Sequence, residues 1–302
     1  MAEKRSLTFS RLLQEVNQGH AIRRSLYQTL EKQLGQDKKV IAFFTSFTFP
    51  VLIEDNDADM IEELLNNSNM NGRELILLLN SPGGDALAAE RIVNICRTYS
   101  KNGFTVIIPK QAKSAATMIC FGAKKICMSK TSELGPIDPQ IVLYDERGRP
   151  ASYKAAHEII DSYNDLIEKA NRTTGRIEPF LQQLARFDAR DIRSIRSAIQ
   201  LSENIAVTVL KSGMLKDVAP RNIKSRIKPF LDPRRTKVHG RPIYHDIAKK
   251  CGLDVEICSN DSEMWRTVWQ IYVRLNYVAS NMAAKVIESI DDSYYVAPPE
   301  HE

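Results

Sequence analysis

Leu75-Ile76-Leu77-Leu78-Leu79-Asn80-Ser81-Pro82-Gly83-Gly84-Asp85 decides the fold, together with Phe104-Thr105-Val106-Ile107-Ile108 and Lys113-Ser114-Ala115-Ala116-Thr117-Met118. The two apolar runs have strand length and read as strands buried on both faces. The first stops at Pro-Gly-Gly. Proline presets φ, and two glycines permit positive φ and close backbone approach. Residues 85–99 carry Leu87, Ile92, Ile95 and Tyr99 near helical spacing, so the glycines stand at a helix start. The N–H groups and the dipole there favour an anion. Losing one such donor to a developing oxyanion typically costs about 2.7–4 kcal/mol of transition-state stabilisation.

Ser114 repeats the pattern. It follows the second apolar run and precedes Ala115-Ala116-Thr117-Met118-Ile119, which reads as a buried helix. A serine at a strand-to-helix turn is exposed at a helix N-terminus, and its helix offers the Ala115 amide as a further donor. The logic is that of a nucleophile elbow, without its motif. The plain alternative is an ordinary N-cap. Downstream come a short strand, Lys125-Ile126-Cys127-Met128, and the turn Glu133-Leu134-Gly135-Pro136-Ile137-Asp138-Pro139.

Asn80-Ser81-Pro82-Gly83-Gly84, Gln111-Ala112-Lys113-Ser114-Ala115-Ala116 and Phe121-Gly122-Ala123-Lys124-Lys125 together resemble the Clp protease and crotonase superfamily. Leu134-Gly135-Pro136-Ile137-Asp138-Pro139-Gln140 is similar to the marker of one branch, the serine dehydrogenase proteinases, which are related to signal peptide peptidase A. The resemblance is strong over residues 38–142 and recognisable to about 256. It implies an α/β fold of repeated β-β-α units, here with extra helices at both ends. It also implies Ser114 as nucleophile, with Gly83, Gly84 and Ala115 as the oxyanion hole.

The general base has two readings under this resemblance. Clp proteases carry a histidine soon after the turn that follows the serine helix, and Gly135-Pro136-Ile137-Asp138 has none. Signal peptide peptidases use a lysine from a later helix, and Lys169 matches it best. A buried lysine loses its proton readily and can accept one from serine. The serine dehydrogenase proteinases are described with serine, aspartate and histidine in that order, which Asp138 and His239 would fill. Their ordinary readings are a solvated helix lysine, a turn aspartate before proline and a loop histidine. Lys113 departs from the small or apolar residue usual beside the nucleophile. It either tunes the serine or points away.

The 302 residues can bury a substantial core, and 43% hydrophobic with 26% charged residues is ordinary for a globular protein. A net charge of +5 without a dense Lys/Arg block gives no nucleic-acid footprint. The five cysteines are odd in number, scattered and without a Cys-x-x-Cys pair. They read as free thiols of a reducing compartment, with no metal and no cofactor implied. Residues 1–10 are polar, and no run approaches a membrane span. Relatives often carry an N-terminal membrane helix; this chain departs from them, so cytoplasmic residence is expected.

Four regions follow: an N-terminal helical segment (1–36), the peptidase domain (37–258), a C-terminal helix (259–289) and a tail expected to be disordered (290–302). Pro150 is expected to open the helix that carries Lys169. The leading expectation is a serine endopeptidase acting on peptides or unfolded proteins, as a homo-oligomer by resemblance. The alternatives are a non-catalytic assembly or binding protein on the same fold, or an acyl-CoA-processing enzyme of the crotonase type.

Overall fold

The computed structural model describes residues 19–144, 150–232 and 241–299. In chain order the first elements are α1 (His20–Leu34), β1 (Lys38–Thr45), α2 (Asp55–Asn67), β2 (Glu74–Asn80), α3 (Ala86–Tyr99) and β3 (Thr105–Ile108). There follow β4 (Gln111–Ala112), α4 (Ala115–Gly122), β5 (Lys125–Met128), β6 (Glu133–Leu134), β7 (Gln140–Tyr144), β8 (Pro150–Ala155) and α5 (Ala156–Arg172). The rest are α6 (Glu178–Leu184), α7 (Ala189–Lys211), α8 (Pro220–Arg226), α9 (Lys228–Leu231), α10 (His245–Lys250), β9 (Val255–Ile257), α11 (Glu263–Asn281), β10 (Lys285–Ser289) and β11 (Ser293–Val296).

The main sheet has seven strands in the order β11-β10-β1-β2-β3-β5-β9. Its centre, β1 to β9, is parallel; β10 and β11 add on antiparallel at the β1 side. Every residue of β2 is buried, as expected for a parallel strand covered on both faces. Alternation divides its side chains between two cores. Leu75, Leu77 and Leu79 join Ile41, Phe43, Val106 and Ile108 in a core with α2, α3, α4 and α7. Ile76 and Leu78 join Val40, Phe44 and Ile107 in a second core with α1 and α11. The fold is therefore α/β, with a mostly parallel central sheet and helices at both ends.

Two differences from the sequence reading have clear causes. Pro150 opens the strand β8, which pairs with β7, and the helix starts at Ala156. Proline is tolerated at the first residue of a strand as it is at a helix start. The C-terminal helix ends at Asn281, and residues 285–289 and 293–296 are strands. The first of these strands, β10, was hidden by its charges. Glu288 is fully buried, yet it accepts from Arg23 Nε (2.8 Å) and Nη2 (2.7 Å) on α1. Lys285, also buried, donates to both Asp57 carboxylate oxygens on α2 (3.0 and 2.9 Å). Charged residues that read as the end of the C-terminal helix are paired inside the fold, the condition for burying charge. Residues 1–18, part of the expected N-terminal helix, lie outside the described residues.

Candidate active site

The carboxyl ends of β2 and β3 converge on one turn. After β2, Ser81 N–H donates to Gln111 O (3.1 Å) and Lys113 N–H donates to Ser81 O (3.0 Å). This bridge lays residues 81–84 beside 111–114. On the other side, Ile53 N–H donates to Gly83 O (2.8 Å) and Asp85 N–H donates to Ile53 O (2.9 Å). The Pro-Gly-Gly turn is clamped between these two contacts. Asp85 then caps α3, its Oδ1 accepting from Ala88 N–H at 2.8 Å.

The turn needs glycine for two reasons. Gly83 has φ +107°, and a Cβ there would stand 2.6 Å from both Lys113 O and Ser114 Cβ. At Gly84 a Cβ would stand 2.2 Å from Ile53 N. No side chain fits at either place. Gly83 thus lies directly against Ser114.

Ser114 precedes α4 with φ 50° and ψ −121°, and its side chain makes no capping bond. That separates it from an ordinary N-cap serine. Among the described residues, only Asn102 and Ser114 are non-glycine at positive φ. Such backbone costs about 1–3 kcal/mol and persists where the surroundings impose it. Here a half-buried hydroxyl is held at a helix N-terminus against a glycine turn.

The amides divide into used and unused. Gly83 N–H donates to Ser81 Oγ at 3.1 Å. The Ile53 bridge uses Gly83 O and Asp85 N–H, not Gly84 N–H. Among the described residues, the N–H groups of Gly84 and Ala115 have no acceptor. Two donors beside a serine hydroxyl are what an oxyanion hole requires.

Lys113 turns away from a tuning role and toward β6. Its Nζ donates to Glu133 Oε2 (2.6 Å) and Leu134 O (3.3 Å). Thr117, the one polar residue inside α4, was not singled out from the sequence. Its hydroxyl donates to Ala112 O (2.8 Å) or Gly135 O (3.0 Å) and accepts from Gly135 N–H (3.1 Å). It pins the serine helix to the Gly135 turn. Its polarity in an otherwise apolar helix three residues after the serine was the available signal. Replacing it with valine leaves the buried Gly135 N–H unsatisfied, and we expect about 1–3 kcal/mol of destabilisation, read as a lower denaturant midpoint.

Asp138 lies three residues beyond Gly135 and is buried at 1% exposure. His239 lies outside the described residues, but both flanks of its segment are tied to the strap formed by residues 134–139. Upstream, Phe230 O accepts from Ile137 N–H, next to Asp138, at 2.8 Å. Downstream, Ile243 exchanges two backbone hydrogen bonds with Leu134, each 2.9 Å. Leu134 in turn pairs with Ala112, two residues before Ser114. Lys169 is exposed on α5. The start of α5 is held at the strap by Ala156 N–H donating to Pro139 O (2.8 Å). Lys169 lies about thirteen residues further along, roughly 20 Å at helical rise. The structure thus brings Gly83, Gly84, Ser114 and Ala115 together, with Asp138 on the adjoining strap.

Two proteins of Methanocaldococcus jannaschii of uncharacterised function share sequence with this chain. MJ1495 is 33% identical over 109 residues, covering 36% of this chain and 37% of its own length. MJ0137 is 29% identical over 196 residues, covering 65% and 57%. The chain therefore spans between about a third and three fifths of these relatives' lengths. Among solved structures, a variant of the 1510-N membrane-bound stomatin-specific protease overlaps 74% of this chain and 96% of its own, at 16% identity and a TM-score of 0.31. The model of the ClpP-like SDH-type serine proteinases matches residues 38–258, which hold the whole turn, Ser114 and the strap. With most of its length matched in this way, the chain belongs to that family.

Proposed function

We propose that this protein is a serine endopeptidase that hydrolyses peptide bonds through an acyl-enzyme on Ser114. The observation that carries the reading is the pairing of an uncapped hydroxyl at positive φ with two amides that have no acceptor among the described residues. Ser114 Oγ attacks the peptide carbonyl. The N–H groups of Gly84 and Ala115 hold the oxygen as it becomes negative, and Gly83 gives the turn its close approach. The amine leaves with a proton, and water then releases the acyl group.

For the proton we favour His239 oriented by Asp138. The burial of Asp138 and the anchoring of both flanks of the 233–240 segment to its strap support this choice. Lys169 lacks the burial a lysine base needs. The experiment is hydrolysis of casein by the wild type and by His239→Ala, Asp138→Asn and Lys169→Ala. We expect the first two to lose about 10²-fold or more in kcat and Lys169→Ala to keep its rate. Loss in Lys169→Ala alone would transfer the role to the lysine, supplied within the protomer or from a neighbouring copy.

Extended, unfolded polypeptide is the proposed substrate, and a homo-oligomer the proposed working form; both are readings from the family. No described helix is long and apolar enough to cross a membrane. The five free, buried cysteines support work in a reducing compartment, which we take to be the cytoplasm.

A further inference from the structure

Three of the five cysteines are isolated in the core. Burial pushes the thiol of Cys96 up to about 12 and that of Cys251 up to about 11, and it raises Cys120 further. Such thiols are inert. Cys127 and Cys258 differ. Cys127 is on β5, opposite Glu256 of the edge strand β9, and Cys258 is two residues beyond Glu256. Period-two alternation puts both on one face of the sheet, toward α11. Their Sγ atoms are 3.0 Å apart, roughly 1 Å more than a disulfide bond.

The surroundings allow the remaining approach. Cys258 N–H donates to Met128 O at 3.0 Å, which fixes the register. Cys258 itself lies just past the last residue of β9, where the chain turns toward α11. Each cysteine keeps about 6% exposure, more than Cys96, Cys120 or Cys251. The two sulphurs are also chemically unequal. The hydrogen bond between them lowers Cys258 and raises Cys127, which burial raises further. Cys258 is therefore the sulphur that gives up its proton more readily, and Cys127 the one that holds it.

We propose that Cys127 and Cys258 form a dithiol oxidation site that closes to an intramolecular disulfide, with a peroxide as oxidant. The Cys258 thiolate attacks the peroxide. An S–O bond forms, the O–O bond breaks, and the departing hydroxide leaves as water after taking a proton. The sulphur is oxidised by two electrons to a sulfenic acid. Cys127 sulphur then attacks Cys258 sulphur, the S–O bond breaks, and a second water leaves with the Cys127 proton. Two thiols and one hydrogen peroxide give one disulfide and two waters. The product is a covalent clasp between β5 and the edge strand, closing a loop of sequence separation 131. Long closed loops constrain the unfolded chain most, so the clasp stabilises the fold. This site is independent of the Ser114 reading.

The test treats the full-length reduced protein with dilute hydrogen peroxide, unfolds it in excess alkylating reagent, and maps the peptides by mass. One linked pair holding Cys127 and Cys258 is expected, released by dithiothreitol, with Cys96, Cys120 and Cys251 alkylated. The oxidised protein stays monomer-sized on a denaturing non-reducing gel and melts higher than the reduced one. In Cys127→Ser the sulfenic acid on Cys258 persists and is trapped by dimedone; Cys258→Ser gives no linkage. Full alkylation of both cysteines in peroxide-treated wild type overturns the proposal, as does linkage of either to another cysteine or between chains. The wild-type map decides between these outcomes even where a variant folds poorly.

Discussion

Ser114→Ala is expected to lose peptide hydrolysis by about 10⁴-fold or more, with the fold unchanged. The two halves of this expectation come from the same feature. A serine used as a helix cap loses about 1 kcal/mol of stability on replacement by alanine. Ser114 makes no capping bond, so its hydroxyl contributes nothing of that kind. Alanine can occupy the same backbone, since the strain at φ 50° belongs to the backbone and to any residue with a Cβ. Fluorogenic-peptide turnover and the melting temperature, measured on one preparation, check both halves. A large fall in melting temperature with retained turnover would make Ser114 a structural residue.

Gly83→Ala is expected to lower kcat by about 10³-fold, close to the full effect of an oxyanion-hole defect, and to destabilise the protein as well. The added Cβ would lie 2.6 Å from Lys113 O and Ser114 Cβ and 3.1 Å from Ala115 N. Two of these atoms are backbone, so no side-chain rotation relieves the clash. The turn must instead move off the serine. The φ of +107° adds a strain of its own for any L side chain, on the order of 1–3 kcal/mol. Activity therefore falls through misaligned donors and a displaced nucleophile, even though the Gly83 amide is occupied by Ser81 Oγ. Comparing kcat with KM separates the effects. A loss confined to KM would mean that the turn binds substrate without stabilising the transition state.

Much of this was legible in the letters because local pattern and global position agree. Five consecutive apolar residues ending in Pro-Gly-Gly could be placed as a central strand and its turn, and β2 has all of them buried. Lys125-Ile126-Cys127-Met128 could be placed as a strand from its length and apolar content, and it is β5. What failed depended on partners distant in sequence. The buried charges Lys285 and Glu288 hid β10, because Asp57 and Arg23 lie more than two hundred residues upstream. The Thr117 pin needs Gly135, which is adjacent only after β4 and β6 pair. The orientation of Lys113 likewise depends on Glu133, across that pairing. Lys169 rests on the resemblance to signal peptide peptidases, and its exposure on α5 is visible only in the fold. The His239 reading gained support from hydrogen bonds at residues 230 and 243, whose sequence gives no sign of them.

The most direct test is covalent capture of the nucleophile. The wild-type protein is incubated with a fluorophosphonate, which phosphonylates activated serines, and the adduct is located by peptide mass mapping. A single adduct on Ser114 is predicted, absent from Ser114→Ala and formed far more slowly by Gly83→Ala. Casein hydrolysis that persists while Ser114 stays unmodified, or an adduct that forms on a different serine and stops hydrolysis, would contradict the assignment of the nucleophile.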